Sequence, residues 1–286
     1  YYGSWAINRP GIGSFGTSDI DPSLCTHIYY SFIGLNNATQ DVEILDPALD
    51  VNRGGFRNLT NLKARYPRVK FLVAMGGWSQ GSYAYSVVAA SASKRATFIQ
   101  QIIDFIHNYG FDGLDLDWEY PAQRDSAFGG ADKENLITLL QEVKAAFEPL
   151  GLLITVAVQP SPSYIDDAYD VPALSNAVDL INFMSYDLHG SWDGSTGVNA
   201  PLHDQKIQQG WAEAYDQNYE SPFACSGNQW VGYDNVRSIS AKVNFVCSKG
   251  LGGVMNWAID EDDFDGNFGP RYPLLRAMNA VKRCRN

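Results

Sequence analysis

The chain has few sulfur-containing residues, few histidines and no long hydrophobic run. Its 286 residues include 4 cysteines, 4 methionines and 4 histidines. The cysteines are widely spaced, with no Cys-x-x-Cys or Cys/His cluster, so we predict no metal site and no cofactor. The longest uncharged stretch, residues 71–93, is interrupted by consecutive glycines and several serines. No transmembrane segment is therefore predicted.

Positive charge is also scarce. The formal net charge is −11, which argues against nucleic acids and anionic membranes as partners. Apolar residues make up 45% of the chain and charged residues 19%, enough to bury a core and to exclude disorder. Aromatic residues are abundant, with 16 Tyr, 14 Phe and 7 Trp. Some of them are candidates for stacking on a ligand with apolar faces, such as a sugar ring.

Two features indicate a secreted protein. The chain starts at Tyr1 without a methionine or signal peptide, as a trimmed mature chain does. Two glycosylation sequons are present, at Asn37-Ala38-Thr39 and Asn58-Leu59-Thr60. We therefore expect an extracellular, glycosylated monomer that contains disulfides.

Short apolar runs alternate with amphipathic segments along the chain. This order predicts parallel strands joined by helices in one domain, residues 1–286. Helices are predicted at about 94–109 (N-cap Ser93), 133–147, 236–248 and after Pro273. The strand-like runs are Tyr1–Ala6, His27–Ile33, Val69–Met75, Phe111–Trp118, Leu152–Val158, Val178–Ser185 and Gly253–Ile259.

The clearest chemical signal is the run 111–121, Phe-Asp-Gly-Leu-Asp-Leu-Asp-Trp-Glu-Tyr-Pro. Side chains alternate along a strand, so Asp115, Asp117 and Glu119 point to the same face, about 7 Å apart in steps of two residues. Burial and mutual repulsion should raise at least one carboxyl pKa, as a general acid requires. Asp112 has the opposite parity and is interpreted as structural.

Two other interpretations of the column are open. An exposed acidic strand is disfavoured because the opposite face (Leu114, Leu116, Trp118) is apolar. A Mg²⁺ or Ca²⁺ site is disfavoured because alternate residues of one strand supply ligands in a line and not in a shell.

The run from Asp112 to Glu119, followed by Tyr120-Pro121, resembles the signature of family 18 glycoside hydrolases, the chitinases and chitinase-like proteins. Residues 74–78 (Ala-Met-Gly-Gly-Trp) resemble that family's Ser-x-Gly-Gly strand, with Ala74 in place of Ser. Residues 184–187 (Met-Ser-Tyr-Asp) resemble its sixth-strand motif, and residues 252–257 its eighth strand. These motifs occur in the family's order.

The resemblance implies a TIM (β/α)8 barrel with the site at the carboxyl ends of the strands. It also implies retaining hydrolysis of chitin through an oxazolinium ion formed by the substrate's own acetamide. Glu119 would be the acid and base, while Asp117 would bind the acetamide N–H. Asp115 would share a proton with Asp117, and Tyr186 and Asp187 would hold the acetamide oxygen.

The resemblance also implies substrate contacts along a cleft. Trp257 would form the floor under the sugar at the cleaved bond, and Trp78 would stack further along. Core packing is the alternative for every aromatic residue. The predicted substrate-binding set is Trp257, Trp78, Tyr120, Met184, Trp192, Tyr1, Phe32, Gly76 and Gly77.

One part of the family pattern is missing. No apolar run fit for a seventh strand occurs between Asp187 and Asn235, and residues 205–235 look like the remnant of a small α+β insertion. Three explanations are open at the Asp204–Gln205 junction: skipped residues, a splice or engineered deletion, or an unusual segment that fills the slot. Cys25 matches a family cysteine whose partner would precede Tyr1, and the other cysteines are not assigned.

Two alternative functions are open beside hydrolysis. A non-catalytic lectin on the same barrel would bind chitin or chito-oligosaccharides, although such relatives normally lack the acid. A structural or signalling protein with a dead site is disfavoured by the intact carboxyl column.

Overall fold

The computed structural model describes residues 1–194, 196–200, 212–216, 220–226 and 229–285. Two compact units divide the chain, Tyr1–Phe183 and Met184–Asn286. Among the described residues, no helix combines the length and apolar character needed to cross a membrane. The predicted Asp204–Gln205 junction lies outside the described residues.

The first unit is built on a parallel sheet. Its six parallel strands lie in chain order, and a short strand, β3, pairs antiparallel with β2. Adjacent positions for consecutive strands are typical of a barrel. The strands are β1 (Tyr2–Gly3), β2 (His27–Leu35), β3 (Val42–Ile44), β4 (Lys70–Gly76), β5 (Gly113–Asp117), β6 (Leu153–Val158) and β7 (Leu180–Phe183).

Helices of the first unit separate these strands. Their apolar side chains pack on the sheet, as Phe98, Ile102 and Ile106 of the third helix do. That helix is capped by Ser91, whose hydroxyl accepts from Lys94 N–H, so the prediction of Ser93 as N-cap was wrong by two residues. The helices are α1 (Gly55–Thr60), α2 (Tyr83–Ala90), α3 (Ala92–Tyr109), α4 (Asp132–Phe147), α5 (Pro162–Ala168) and α6 (Val171–Ala177).

The sheet of the first unit is strongly curved. Strands β1 and β7 are at opposite ends of the parallel order, which in a flat sheet would place them about 24 Å apart at roughly 4.8 Å per strand. Yet Asn182 Nδ2 on β7 donates to the Tyr1 hydroxyl, beside β1, at 3.1 Å. Side chains therefore bridge the interior of an arc, and a ring of eight strands is left unclosed by the described residues.

The second unit contains an antiparallel sheet and two helices. The sheet has the order β10-β9-β8, with β8 (Ala212–Asp216), β9 (Ser221–Ser226) and β10 (Gln229–Gly232). Helix α7 (Val236–Ser248) has the predicted bounds and is linked to the segment after α8 (Pro273–Met278) by a disulfide between Cys247 and Cys284. The antiparallel sheet lies within the predicted insertion remnant, whose assignment stays a prediction.

Two strand predictions differ from the structure. Only Tyr2–Gly3 of the predicted strand Tyr1–Ala6 is a strand, because Ser4–Asn8 form a 3-10 helix. The prediction of a strand at Gly253–Ile259 was wrong. Residues 253–258 of the predicted strand Gly253–Ile259 are irregular, and Ile259 begins a 3-10 turn. A strand exists only through hydrogen bonds to neighbouring strands, and the seventh strand expected beside this segment is not found among the described residues. Local apolar character alone did not make a strand.

Candidate active site

Strand β5 carries the carboxyl column. Asp115 and Asp117 belong to the strand, and Glu119 follows it by two residues. Their exposed fractions are 0%, 4% and 9%, so the predicted column is buried. The opposite face is buried as well, which excludes an exposed acidic strand. Clusters suited to a metal ion are not found among the described residues.

Asp115 is held by three donors, one from the residue before β1 and one each from β6 and β7. Its Oδ2 accepts from the Tyr1 hydroxyl at 2.6 Å. Its Oδ1 accepts from the Thr155 hydroxyl at 2.5 Å and from Asn182 Nδ2 at 3.1 Å. Burial raises the pKa of Asp115, while these three hydrogen bonds oppose the rise by stabilising the carboxylate. Asp115 is therefore a fixed acceptor at the centre of the arc.

Tyr1 was predicted to contact substrate, and the structure assigns it another position. The ring is only 6% exposed and stacks on Tyr29 with centroids 4.5 Å apart. Burial, followed by the negative charge of Asp115, raises the pKa of its hydroxyl. Tyr1 thus stays protonated and donates to Asp115, and its burial argues against stacking on a sugar.

Asp117 differs from Asp115 in having an unsatisfied oxygen. Its Oδ1 is buried, and no hydrogen-bond partner for it is found among the described residues. Burial first, and then the charges of Glu119 and Asp115, raise the pKa of Asp117 well above its usual value. This carboxyl therefore binds a proton more tightly than an ordinary aspartate does, and it has an oxygen available to an incoming donor.

Two glycines allow the backbone to pass beside Asp117. The Gly77 N–H donates to the Asp117 carbonyl at 2.9 Å. Gly76 and Gly77 have φ of +119° and +83°, and a Cβ on Gly76 would overlap that carbonyl. A Cβ on Gly77 would lie 2.8 Å from the Phe32 ring. The glycines are thus required by backbone geometry, and direct substrate contact by either one stays a prediction.

Glu119 is flanked by aromatic residues. The Tyr120 hydroxyl is hydrogen-bonded to the Glu119 carboxylate, and burial followed by the Glu119 charge raises the pKa of that hydroxyl.

Trp78 is 61% exposed, and the Arg124 guanidinium lies 3.8 Å from its ring centroid. Arg124 Nη1 also donates to the carbonyls of Trp78 and Glu119, at 2.8 and 3.0 Å. One face of Trp78 is therefore covered and its other face can receive a ligand.

Phe32 is half-buried within β2. Its ring stacks on Trp5, with centroids 6.1 Å apart and an interplanar angle of 22°. Trp5 is 44% exposed. The first unit thus brings together nine of the predicted site residues. Phe32, Gly76, Asp115 and Asp117 lie in β2, β4 and β5, while Gly77, Trp78, Glu119 and Tyr120 follow β4 and β5, and Tyr1 precedes β1.

The other predicted site residues belong to the second unit. Met184 is buried, Tyr186 is half-buried, and Asp187 has φ of +53° and accepts from Asn199 Nδ2 at 2.8 Å. Trp192 is 67% exposed, and Trp257 is half-buried in the irregular segment that was expected to be a strand. The part of these five residues in the site stays a prediction.

Sequence reasoning missed several residues of the site. Thr155 and Asn182 each stand as a polar residue within an apolar strand, and that pattern was a usable signal for an inward-facing partner of Asp115. Asp112 was correctly predicted to be structural, since it accepts from Phe71 N–H at 2.8 Å and pairs with Lys63 at 2.7 Å. No pattern marked Ser82, whose hydroxyl contacts Trp118 and Tyr120, or Arg124, whose Nη1 donates to the carbonyls of Trp78 and Glu119.

The sequence matches the model of glycosyl hydrolases family 18 over residues 1–215 and 204–262. An endochitinase of Manduca sexta is 34% identical over 365 residues, which cover 98% of this chain and 66% of that protein. The chain thus spans about two thirds of that relative. Because the alignment is longer than the 286 residues of this chain, the relative has residues without a counterpart here.

Solved structures agree with this assignment. The Ostrinia furnacalis Group IV chitinase has a TM-score of 0.94 and 36% identity, over 98% of both chains. It has also been solved in complex with allosamidin. Human YKL-39, described as a pseudo-chitinase with retained chitooligosaccharide binding properties, has a TM-score of 0.86 and 29% identity, over 100% of this chain and 98% of that one.

Proposed function

The chain belongs to family 18 of the glycosyl hydrolases, and on that premise we propose that it hydrolyses chitin, the β-1,4-linked polymer of N-acetylglucosamine. The observation that carries the proposal is the buried column of three carboxyls, in which Asp115 is fully hydrogen-bonded and Asp117 retains an unsatisfied oxygen. An acetamide N–H is a suitable donor for that oxygen. A neutral polymer also suits an acidic protein.

The proposed reaction retains the anomeric configuration. Glu119 donates a proton to the glycosidic oxygen, and the bond between that oxygen and the anomeric carbon breaks, so that the leaving sugar departs as an alcohol. The acetamide oxygen of the remaining sugar attacks the anomeric carbon and forms an oxazolinium ion. Asp117 accepts a hydrogen bond from the acetamide N–H and offsets the positive charge. Asp115 shares a proton with Asp117. Glu119 then removes a proton from a water molecule, which attacks the anomeric carbon, breaks its bond to the acetamide oxygen and so opens the oxazolinium ring. Tyr186 and Asp187 hold the acetamide oxygen, and Trp257 lies under the sugar.

Turnover of a fluorogenic chitobioside tests this proposal. Glu119→Gln should lower kcat by at least about 100-fold, because general acid catalysis typically contributes that much or more. Asp112→Asn, immediately before β5, is a matched control, and turnover should stay within a few fold of the parent. An inactive parent chain, or a fully active Glu119→Gln variant, would contradict hydrolysis by this residue. Proton NMR of the first product should show the β-anomer.

A binding protein for chito-oligosaccharides is the second candidate function. It is favoured by the unclosed strand ring and by similarity to YKL-39, whose description reports binding without catalysis. Retained binding to chitin beads without turnover by the parent chain would support this candidate.

Extracellular action by a monomer is part of the same proposal. Asn37 is exposed in the turn between β2 and β3, where an oligosaccharide can be attached. Asn58 is exposed on α1, but its amide donates to the Arg53 carbonyl at 3.2 Å. Loss of mass after endoglycosidase treatment of the secreted protein, abolished by Asn37→Gln, tests both the secretion and the site.

A further inference from the structure

The residue before α2 contacts the segment that carries Glu119. Ser82 is fully buried. Its Oγ accepts from the indole Nε1 of Trp118 at 2.5 Å and donates to the backbone carbonyl of Tyr120 at 2.9 Å. Trp118 and Tyr120 are the two chain neighbours of Glu119. One hydroxyl therefore fixes the residue on each side of the proposed acid.

The direction of these hydrogen bonds is determined by chemistry. An indole N–H can only donate, and a carbonyl can only accept. The single proton of the Ser82 hydroxyl must therefore point to Tyr120, while its lone pair faces Trp118. No apolar residue can replace this combination. The Tyr120 carbonyl also accepts from Gln123 N–H at 3.2 Å, so loss of the hydroxyl would orphan mainly the buried indole N–H.

Ser82 is itself held firmly. Its backbone N–H donates to Asp125 Oδ1 at 2.9 Å, and the Trp118 ring stacks on Tyr85 of α2 with centroids 6.1 Å apart. Asp125 belongs to the same loop that follows Glu119. Both the backbone N–H and the side-chain hydroxyl of Ser82 thus connect the start of α2 to the segment around Glu119.

We propose that Ser82 is a positioning residue that holds Glu119 at the angle required for proton transfer. The inference rests on the proposed hydrolysis, and Ser82 acts through Trp118 and Tyr120 without touching substrate. A displacement of about 1 Å at a reacting group can cost on the order of 100-fold in rate. Loss of a hydroxyl that only stabilised the fold would not lower kcat while leaving KM unchanged.

Steady-state kinetics on the fluorogenic chitobioside distinguish the two roles. Ser82→Ala should lower kcat by about 10- to 100-fold, with KM within about twofold of the parent. Ser82→Thr keeps the hydroxyl and should restore most of kcat. If Ser82→Ala does not fold, Trp118→Phe takes its place as the test. It removes the indole donor, leaves Ser82 in place and should also lower kcat.

Ser86→Ala is the matched control. Ser86 is also fully buried, lies one turn further along α2, and donates to Asp132 Oδ1 at 2.6 Å. Its loss removes a buried hydroxyl from the same helix without touching either neighbour of Glu119. Its kcat should stay within about threefold of the parent. Equal losses of kcat in the Ser82 and Ser86 variants, or no loss in either, would overturn the positioning role.

A measurement without substrate separates this inference from the proposed function. The ¹³C-carboxyl titration of Glu119 should change its midpoint in Ser82→Ala, because water reaches a loosened carboxyl, and should not change in Ser86→Ala. An inactive parent chain would refute hydrolysis, and the titration would still decide the role of Ser82. An unchanged midpoint in Ser82→Ala would refute that role.

Discussion

Strand-like apolar runs lead to different structures in the two units of the chain. In Tyr1–Phe183, every strand-like apolar run contains a parallel strand that is hydrogen-bonded to a neighbouring strand. In Met184–Asn286, the apolar run 253–259 remained irregular, and the sheet is antiparallel and built from residues 212–232. The difference shows that a parallel strand requires its neighbours, whereas a hairpin-connected sheet supplies its own partners locally.

The largest expected effect tests whether the second unit depends on its cross-link. The disulfide closes a sequence separation of 37 residues, and loop entropy predicts a contribution of about 4 kcal/mol to the free energy of unfolding. Replacing Cys247 and Cys284 together by Ser should therefore reduce amide-exchange protection in α7 by that amount. Protection in β4 and β5 of the first unit serves as the control. An equal loss in both units would show that they unfold as one.

The second prediction concerns the polar centre of the first unit. Asp115→Ala would remove the acceptor that Tyr1, Thr155 and Asn182 share, although Asn182 Nδ2 would still donate to the Tyr1 hydroxyl. We expect the free energy of unfolding of the first unit to fall by about 3 kcal/mol, measured by urea denaturation. Asp104→Ala removes an exposed carboxylate on α3 and should change it by less than about 0.5 kcal/mol. A similar loss in both variants would refute the importance of the Asp115 contacts.

The third prediction asks whether the second unit takes part in catalysis. If Trp257 lies under the sugar, Trp257→Ala should raise KM for the chitobioside about tenfold, equivalent to about 1.4 kcal/mol. Exchange protection in β5 should stay unchanged. Unaltered kinetics would exclude Trp257 from the site and leave Tyr186 and Asp187 as the proposed contribution of the second unit.

The smallest expected effect is a pH dependence within the first unit. The Asp50 carboxyl is 1% exposed, accepts from the Tyr30 hydroxyl at 2.6 Å, and has its pKa raised by burial to about 6. The folded state binds this proton more tightly than the unfolded state, whose aspartate pKa is about 3.9. Stability from this group is therefore present below about pH 4 and is lost as pH rises to about 6.

Asp50→Asn keeps a neutral acceptor for Tyr30 and should remove this part of the pH dependence. Between pH 4 and 7 the Tm of the parent should fall relative to that of the variant, because only the parent loses this proton as the pH rises. Parallel Tm curves for the two proteins would contradict the prediction.

Much of the first unit could be predicted because its signals are local. Alternation along β5 was sufficient to place the three carboxyls on one face, and apolar runs located the strands within a few residues. Contacts made across the chain could not be predicted in this way. The Ser82 hydroxyl reaches Trp118 and Tyr120, and the Arg124 guanidinium reaches Trp78, only after α2 and the loop beyond β5 have packed together. Neither residue has a neighbouring pattern that indicates this.

The glycine pair at the end of β4 has a genetic consequence. Every codon for glycine begins with two guanines, and any single-base change in either of them encodes a residue with a Cβ, or a stop. At Gly76 that Cβ would meet the Asp117 carbonyl, and at Gly77 the Phe32 ring. No missense variant one base away from either codon is therefore sterically neutral, and these two positions should be depleted of variation in any population that needs the enzyme.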